Sequence, residues 1–222
     1  MPTCNICGSS EFQDYRGRPN EQCVSCGSKA RHRTGWLVYQ RELKGSRAAE
    51  GRVLHLAPEK ALHGKLLDLL GENYVTADAA PERYPHAECI KLFFPDDFQK
   101  FEDGHFTAIL HNHVLEHIPG HYLDHLKEFT RLLASGGRMI FSVPGPHKGM
   151  MTREGGEHFE SDEERLREFL QEDHFKIFGD DFEAGLATLR GGRLLPDTTT
   201  DDDRARIGVR PGKGKFFIWE KE

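Results

Sequence analysis

From Gly51 onward the chain alternates short apolar runs of strand type with longer stretches whose apolar residues recur at helical spacing, a pattern that predicts a sheet covered by helices. The first run, Val53–Leu56, leads into a helix over Lys60–Leu70, in which Leu62, Leu66, Leu67 and Leu70 share one face and Gly71 ends it. A second strand over 74–77 ends on Asp78, and runs at 88–92 and 106–110 are short and apolar enough to be buried strands. Helical spacing from Tyr122 to Leu133 precedes Gly136 and Gly137 and a fifth strand at 138–143, which Pro144 stops. The last third predicts helices near 163–170 and 182–189 and closing strands at 192–195 and 215–220, with the Asp- and Thr-rich stretch 197–203 as a loop.

Residues 1–33 behave differently. They are rich in Cys, Gly, Ser and Arg and poor in aliphatics, so they cannot form a core without a metal. Cys4 and Cys7, then Cys23 and Cys26, form two C-x-x-C pairs, each followed by glycine, at the spacing that tetrahedral zinc requires. Zinc or another tetrahedral metal is the expectation, with a disulfide or an unliganded set as the alternative. Four thiolates would close the site, which makes its role structural or substrate-gating rather than catalytic. His32 is surplus as a ligand, and Cys89 reads as core. Residues 34–50 hold the helical run GWLVYQREL and read as a linker helix, and 51–222 as the main domain.

Composition narrows the function classes. The chain has 222 residues and a formal net charge of −6, so no general cationic field draws it to phosphate backbones, and nucleic acid is disfavoured as a partner. Apolar runs are too short for a membrane helix, and the first cysteine comes too early for a secretory signal, so the expectation is a soluble, cytoplasmic protein.

Three segments carry a family likeness: FTAILHNHVLEHIP from Phe106, RLLASGGRMIFSVP from Arg131, and YVTAD ending on Asp78. Over about residues 51–145 the chain resembles class I S-adenosylmethionine-dependent methyltransferases. The resemblance implies a Rossmann-like α/β sheet with helices on both faces, here preceded by a small zinc ribbon, and S-adenosylmethionine as cofactor alongside Zn2+. The run from Asp173 to Asp181 also resembles a segment of zinc-ribbon members of that group. The first-strand loop departs from the family: its usual acidic residue and three glycines align with His55, Ala57, Glu59 and Ala61.

The expected cofactor contacts are His55, Ala57, Glu59, Asp78 and His111. Asp78 lies where a carboxylate past a strand end can accept both ribose hydroxyls, and Glu59 can pair with the ammonium of the methionine moiety. His111, Asn112, His113, Glu116 and His117 crowd the end of the fourth strand, and of these His111 and His113 are the candidate bases. His174, in a run read as a loop folding over the cleft, is a third, with Asp173 and Lys176 beside it. The function expected is methyl transfer by direct displacement to a small-molecule acceptor, a sugar or secondary metabolite, at oxygen or nitrogen. Two rivals stand. One is an RNA methyltransferase using Arg16, Arg18, Lys29, Arg31, Arg33 and a basic group at 204–215. The other is a non-catalytic binding module that has lost its cofactor.

Overall fold

The computed structural model describes residues 1–222. A two-stranded antiparallel hairpin, β1 (Phe12–Tyr15) and β2 (Arg18–Cys23), separates the first cysteine pair from the second. Helix α1 (Ala30–Leu43) follows at once, starting before the expected Thr34, because His32 Nδ1 accepts the otherwise unpaired Lys29 N–H at 3.3 Å at its N-terminus.

The main sheet contains β3 (Val53–Leu56), β4 (Tyr74–Asp78), β5 (Cys89–Lys91), β6 (Phe106–Asn112), β7 (Leu133–Ser142), β8 (Gly192–Leu195) and β9 (Phe217–Lys221). Their order is β5-β4-β3-β6-β7-β9-β8. The first five pair in parallel, and β9 runs antiparallel to both of its neighbours. The chain moves outward from β3 through β4 to β5 and then returns to the other side of β3 as β6. The topological switch point therefore lies between β3 and β6, and their carboxyl ends flank the crevice where open α/β sheets bind ligands.

Strand alternation builds a core on each face. Leu54, Ile109, Phe141 and Trp219 point to one side, where they meet α3 (Tyr122–Leu132) and, beyond α4 (Asp162–Phe169) in the chain, α5 (Phe182–Leu186). Val53, Leu110, Ile140 and Ile218 point to the other, against α1 and α2 (Lys60–Leu70). Helix α1 contributes Trp36, Val38, Tyr39 and Leu43 to this second core. At about 1.5–3 kcal/mol per fully buried large side chain, that face anchors the helix firmly to the sheet.

Several expectations need correction. The glycine pair lies inside β7 rather than before it: pairing shifts between Phe106↔Leu133 and Ala108↔Arg138, and a Cβ at Gly137 would come within 2.9 Å of the Thr107 carbonyl. The Asp- and Thr-rich stretch is not all loop, since Thr200 and Asp203 form a capping box that starts α6 (Asp201–Arg206). Cys89 is half-buried on the edge strand β5 rather than in the core. No helix is long and apolar enough to cross a membrane.

One side chain ties the hairpin to the sheet domain. Arg33, fully buried, donates to the carbonyls of Asn20, Glu21 and Ser28 in the hairpin region and of Ile207 and Gly208 after α6, at 2.8–3.3 Å. Its planar fork matches five acceptors from two parts of the chain, so losing it would strand buried carbonyls on both sides.

Candidate active site and cysteine cluster

The cysteine cluster has the geometry its spacing promised. Sγ of Cys4 lies 3.7 Å from that of Cys26, and Cys7 Sγ lies 3.6 Å from Cys23 Sγ. All four sulfurs are within 4.8 Å of one another. A tetrahedron with ~2.3 Å metal–sulfur bonds has edges of about 3.8 Å. Gly8 and Gly27 adopt φ of +82° and +68°, and each donates its N–H back to the first cysteine of its pair, so the two turns are near copies of each other.

At the switch point, the loop after β3 has Ala57 at φ +51°, a left-handed conformation that a glycine would adopt more easily. His55, at the end of the strand, is fully buried. Its Nδ1 meets the Tyr74 hydroxyl at 2.7 Å and its Nε2 meets Glu59 Oε2 at 2.9 Å. Glu59 Oε1 accepts from Asn112 Nδ2 at 3.0 Å, the same Nδ2 reaches the Tyr39 hydroxyl at 2.7 Å, and Ser142 Oγ donates to Asn112 Oδ1 at 3.0 Å. Burial alone would raise the Glu59 carboxyl, but the hydrogen bond and charge of His55 outweigh it and hold it at about 2. A carboxylate, that of Glu59, thus lies four residues on from His55 and is locked in place by His55 and Asn112. Sequence reasoning missed Tyr39, Tyr74 and Ser142 in this network. The available signal was that a buried tyrosine hydroxyl needs a polar partner.

Asp78 ends β4, one strand over, half-buried, and its Oδ1 accepts the Ala80 N–H at 2.8 Å. Burial and the adjacent Asp78 carboxylate together raise the phenol of Tyr84, which places that ring beside the carboxylate. Arg31, in the first turn of α1, acts electrostatically on His113 and Glu116, and its Nε is buried with no partner.

The histidines divide. His111 is fully buried on the face opposite Asn112, sandwiched between Phe129 at 5.0 Å and Phe141 at 4.7 Å, with no partner on either ring nitrogen. Alternation along β6 turns it into the core, and burial lowers it to about 3. His113 comes next on the crevice side, at φ +53° and with its side chain 32% exposed. Burial lowers it too, to about 3. His174, far along the chain, joins Glu116 and His117: the three ligand atoms lie within 4.8 Å of one another.

The segment that carries His174 is a fixed strut rather than a free loop. Phe175 N donates to Glu116 O at 2.7 Å, and Arg153 and Ile177 exchange backbone hydrogen bonds at 2.9 and 3.0 Å. Gly156 and Gly179 permit this threading, since a Cβ there would fall 2.4 Å from Phe175 Cα and 2.1 Å from the Met150 carbonyl oxygen. Lys176 is buried and donates to the Ile118 carbonyl, and Asp173 is exposed beside His117. Burial pushes the Glu116 carboxyl up to about 8 and lowers His174 to about 4.

Residues 43–181 match a family model described as a methyltransferase domain, which is more than half of the chain. The chain belongs to this methyltransferase family. It is an enzyme with a Rossmann-like class I sheet. Among solved structures, it is similar to a SAM-dependent methyltransferase from Archaeoglobus fulgidus, at 12% identity over 86% of this chain and 94% of that one with a TM-score of 0.52, a likeness of fold. A possible histamine N-methyltransferase from Thermotoga maritima aligns at 14% identity over 86% of this chain and 90% of that one, with a TM-score of 0.48. No curated protein matches the chain by sequence.

Proposed function

We propose that this methyltransferase uses S-adenosylmethionine and delivers its methyl group to a small-molecule acceptor at the crevice between β3 and β6. The observation that carries this reading is the pair of carboxylates at adjacent strand ends: Asp78 after β4 and the locked Glu59 after β3, on either side of the left-handed Ala57 turn. Their donor set fits the cofactor. Asp78 keeps an oxygen free of its Ala80 bond for the ribose hydroxyls, Glu59 offers lone pairs to the ammonium, and the unpartnered Arg31 Nε suits the methionine carboxylate. When bound, the cofactor supplies an electrophilic sulfonium methyl. The chain's own part is to align and to keep water out, which is where displacement reactions gain most of their rate. His113 lies at the rim on the acceptor side, where a neutral imidazole can take a proton.

His111 enters this reading only as packing behind the crevice. An RNA acceptor is disfavoured because Arg33 spends its donors on backbone carbonyls, and Arg204 is buried against the carbonyls of Thr199 and Lys213. We propose that the ribbon holds one zinc through Cys4, Cys7, Cys23 and Cys26.

The test is calorimetric titration with S-adenosylmethionine. Asp78→Ala weakens binding at least tenfold, since a bidentate hydroxyl acceptor is lost. Absence of binding by the wild-type protein would instead support the non-catalytic module, and an unchanged dissociation constant in the variant would remove Asp78 from the site.

A further inference from the structure

The loop after β6 and the strut at 173–178 bring together a second set of metal-ligating side chains, and the cofactor reading uses none of them. Glu116 is fully buried, yet neither carboxylate oxygen has a hydrogen-bond partner. Buried carboxylates are rarely left in that state, because the desolvation cost is uncompensated unless a cation or a proton occupies the gap. Two imidazoles face it. His117 Nε2 stands 3.9 Å from Glu116 Oε1, and the His174 ring packs edge-on against that of His117 with centroids 4.9 Å apart.

The far side of the His117 ring is prepared as it is in metal sites. His117 Nδ1 lies 3.0 Å from the Asp173 carbonyl and 3.4 Å from its carboxylate, which fixes the tautomer with Nδ1 protonated and leaves Nε2 as a free lone pair toward Glu116. This arrangement of carbonyl, imidazole and vacant nitrogen is what orients histidine ligands and raises their basicity.

We propose that Glu116, His117 and His174 bind one divalent first-row transition-metal ion, with an open coordination position on the crevice side for an oxygen of the methyl acceptor. Two imidazoles and one carboxylate suit Zn2+, Mn2+, Fe2+ or Co2+ better than Mg2+, which prefers oxygen and water. Three protein ligands leave the position that catalytic sites keep for water or substrate. The opening lies toward His113, whose Nδ1 is 3.5 Å from Glu116 Oε1 and whose side chain is 32% exposed. A hydroxyl held there would be polarised by the ion. Binding of the ion stands on the geometry alone; its service to the acceptor rests on the methyl-transfer reading.

The experiment titrates Co2+ into protein whose ribbon is already loaded with zinc, following the visible ligand-field bands of cobalt. One further equivalent binds to the wild-type chain, with bands of nitrogen and oxygen ligation and no sulfur charge transfer. Glu116→Gln and His174→Ala each weaken this binding at least a hundredfold, and His117→Ala, at a more exposed position, serves as the variant least prone to misfold. Near-ultraviolet circular dichroism checks that each variant is folded. No additional cobalt in the wild type, or equal affinity in all three variants, overturns the proposal. S-adenosylmethionine affinity, measured in parallel without cobalt, reports on the cofactor reading separately, so the failure of one is distinguishable from the failure of the other.

Discussion

The chain carries two clusters of metal-ligating residues, and they are built on opposite principles. At the ribbon, four sulfurs lie within 4.8 Å of one another, and the surrounding segment has few aliphatic side chains of its own. At the crevice, one carboxylate and two imidazoles sit on backbone that is already fixed by the β6–β7 pairing and by the strut's hydrogen bonds. On the proposed reading the ribbon takes its metal in order to fold, whereas the crevice is held by the packing of the sheet domain. A closed site stores folding energy, whereas an open one stores an unsatisfied charge. Helix α1 lies between the two: its first turn takes Arg33 into the ribbon and carries Arg31, whose charge acts on Glu116 and His113.

The largest effect that would break this contrast is at the ribbon. Cys23→Ser, or removal of metal by a strong chelator, should unfold residues 1–29 and lower the stability of the whole chain by several kcal/mol, because a structural zinc contributes on the order of 10 kcal/mol to such segments. Elemental analysis beside urea denaturation checks it. A variant that loses zinc yet keeps wild-type stability would show that the hairpin and Arg33 hold the ribbon unaided.

Glu59 should come next. Its carboxyl is held at about 2 against an ordinary 4.5, so the ionised form is favoured in the folded state. A depressed acid contributes stability that is present above the unfolded value and lost as pH falls through the folded one. Glu59→Gln should therefore cost roughly 2–3 kcal/mol at pH 7, and the gap from wild type should shrink between pH 4.5 and 2. Denaturation series at pH 7, 4 and 3 measure it, and a gap independent of pH would assign the loss to packing.

The smallest effect sharpens the contrast from the other side. In metal-free crevice conditions, Glu116→Gln should leave stability unchanged or raise it by about 1 kcal/mol, since an amide is cheaper to bury than an unpaired carboxylate. A loss of more than 2 kcal/mol by thermal unfolding would mean that Glu116 already has a structural partner.

The sheet was readable from the chain because buried parallel strands and amphipathic helices leave their period in the apolar residues: Val53–Leu56 and Lys60–Leu70 fall where that period places them. Capping chemistry was present too, but the TTTDDD run around Thr200 read as solvated loop and so hid α6. The crevice was only half legible. His113 and His174 are brought toward one place, while His111, one residue from Asn112, is turned to the other face of the sheet. Nothing local marks a histidine as inward or outward until the strand's partners are known.

Some of this protein is local, and the chain alone determined it: the C-x-x-C spacing that sets four sulfurs, the strand and helix periods, and the Asp78 position at a strand end. Other features were decided only by the tertiary structure, because they join residues far apart in sequence. Glu59 is fixed by Asn112, Arg33 by Gly208, and Glu116 is set against His174 by a strut threaded past two glycines. Spacing can specify ligands within one turn, but burial and orientation depend on which surfaces the whole chain brings into contact.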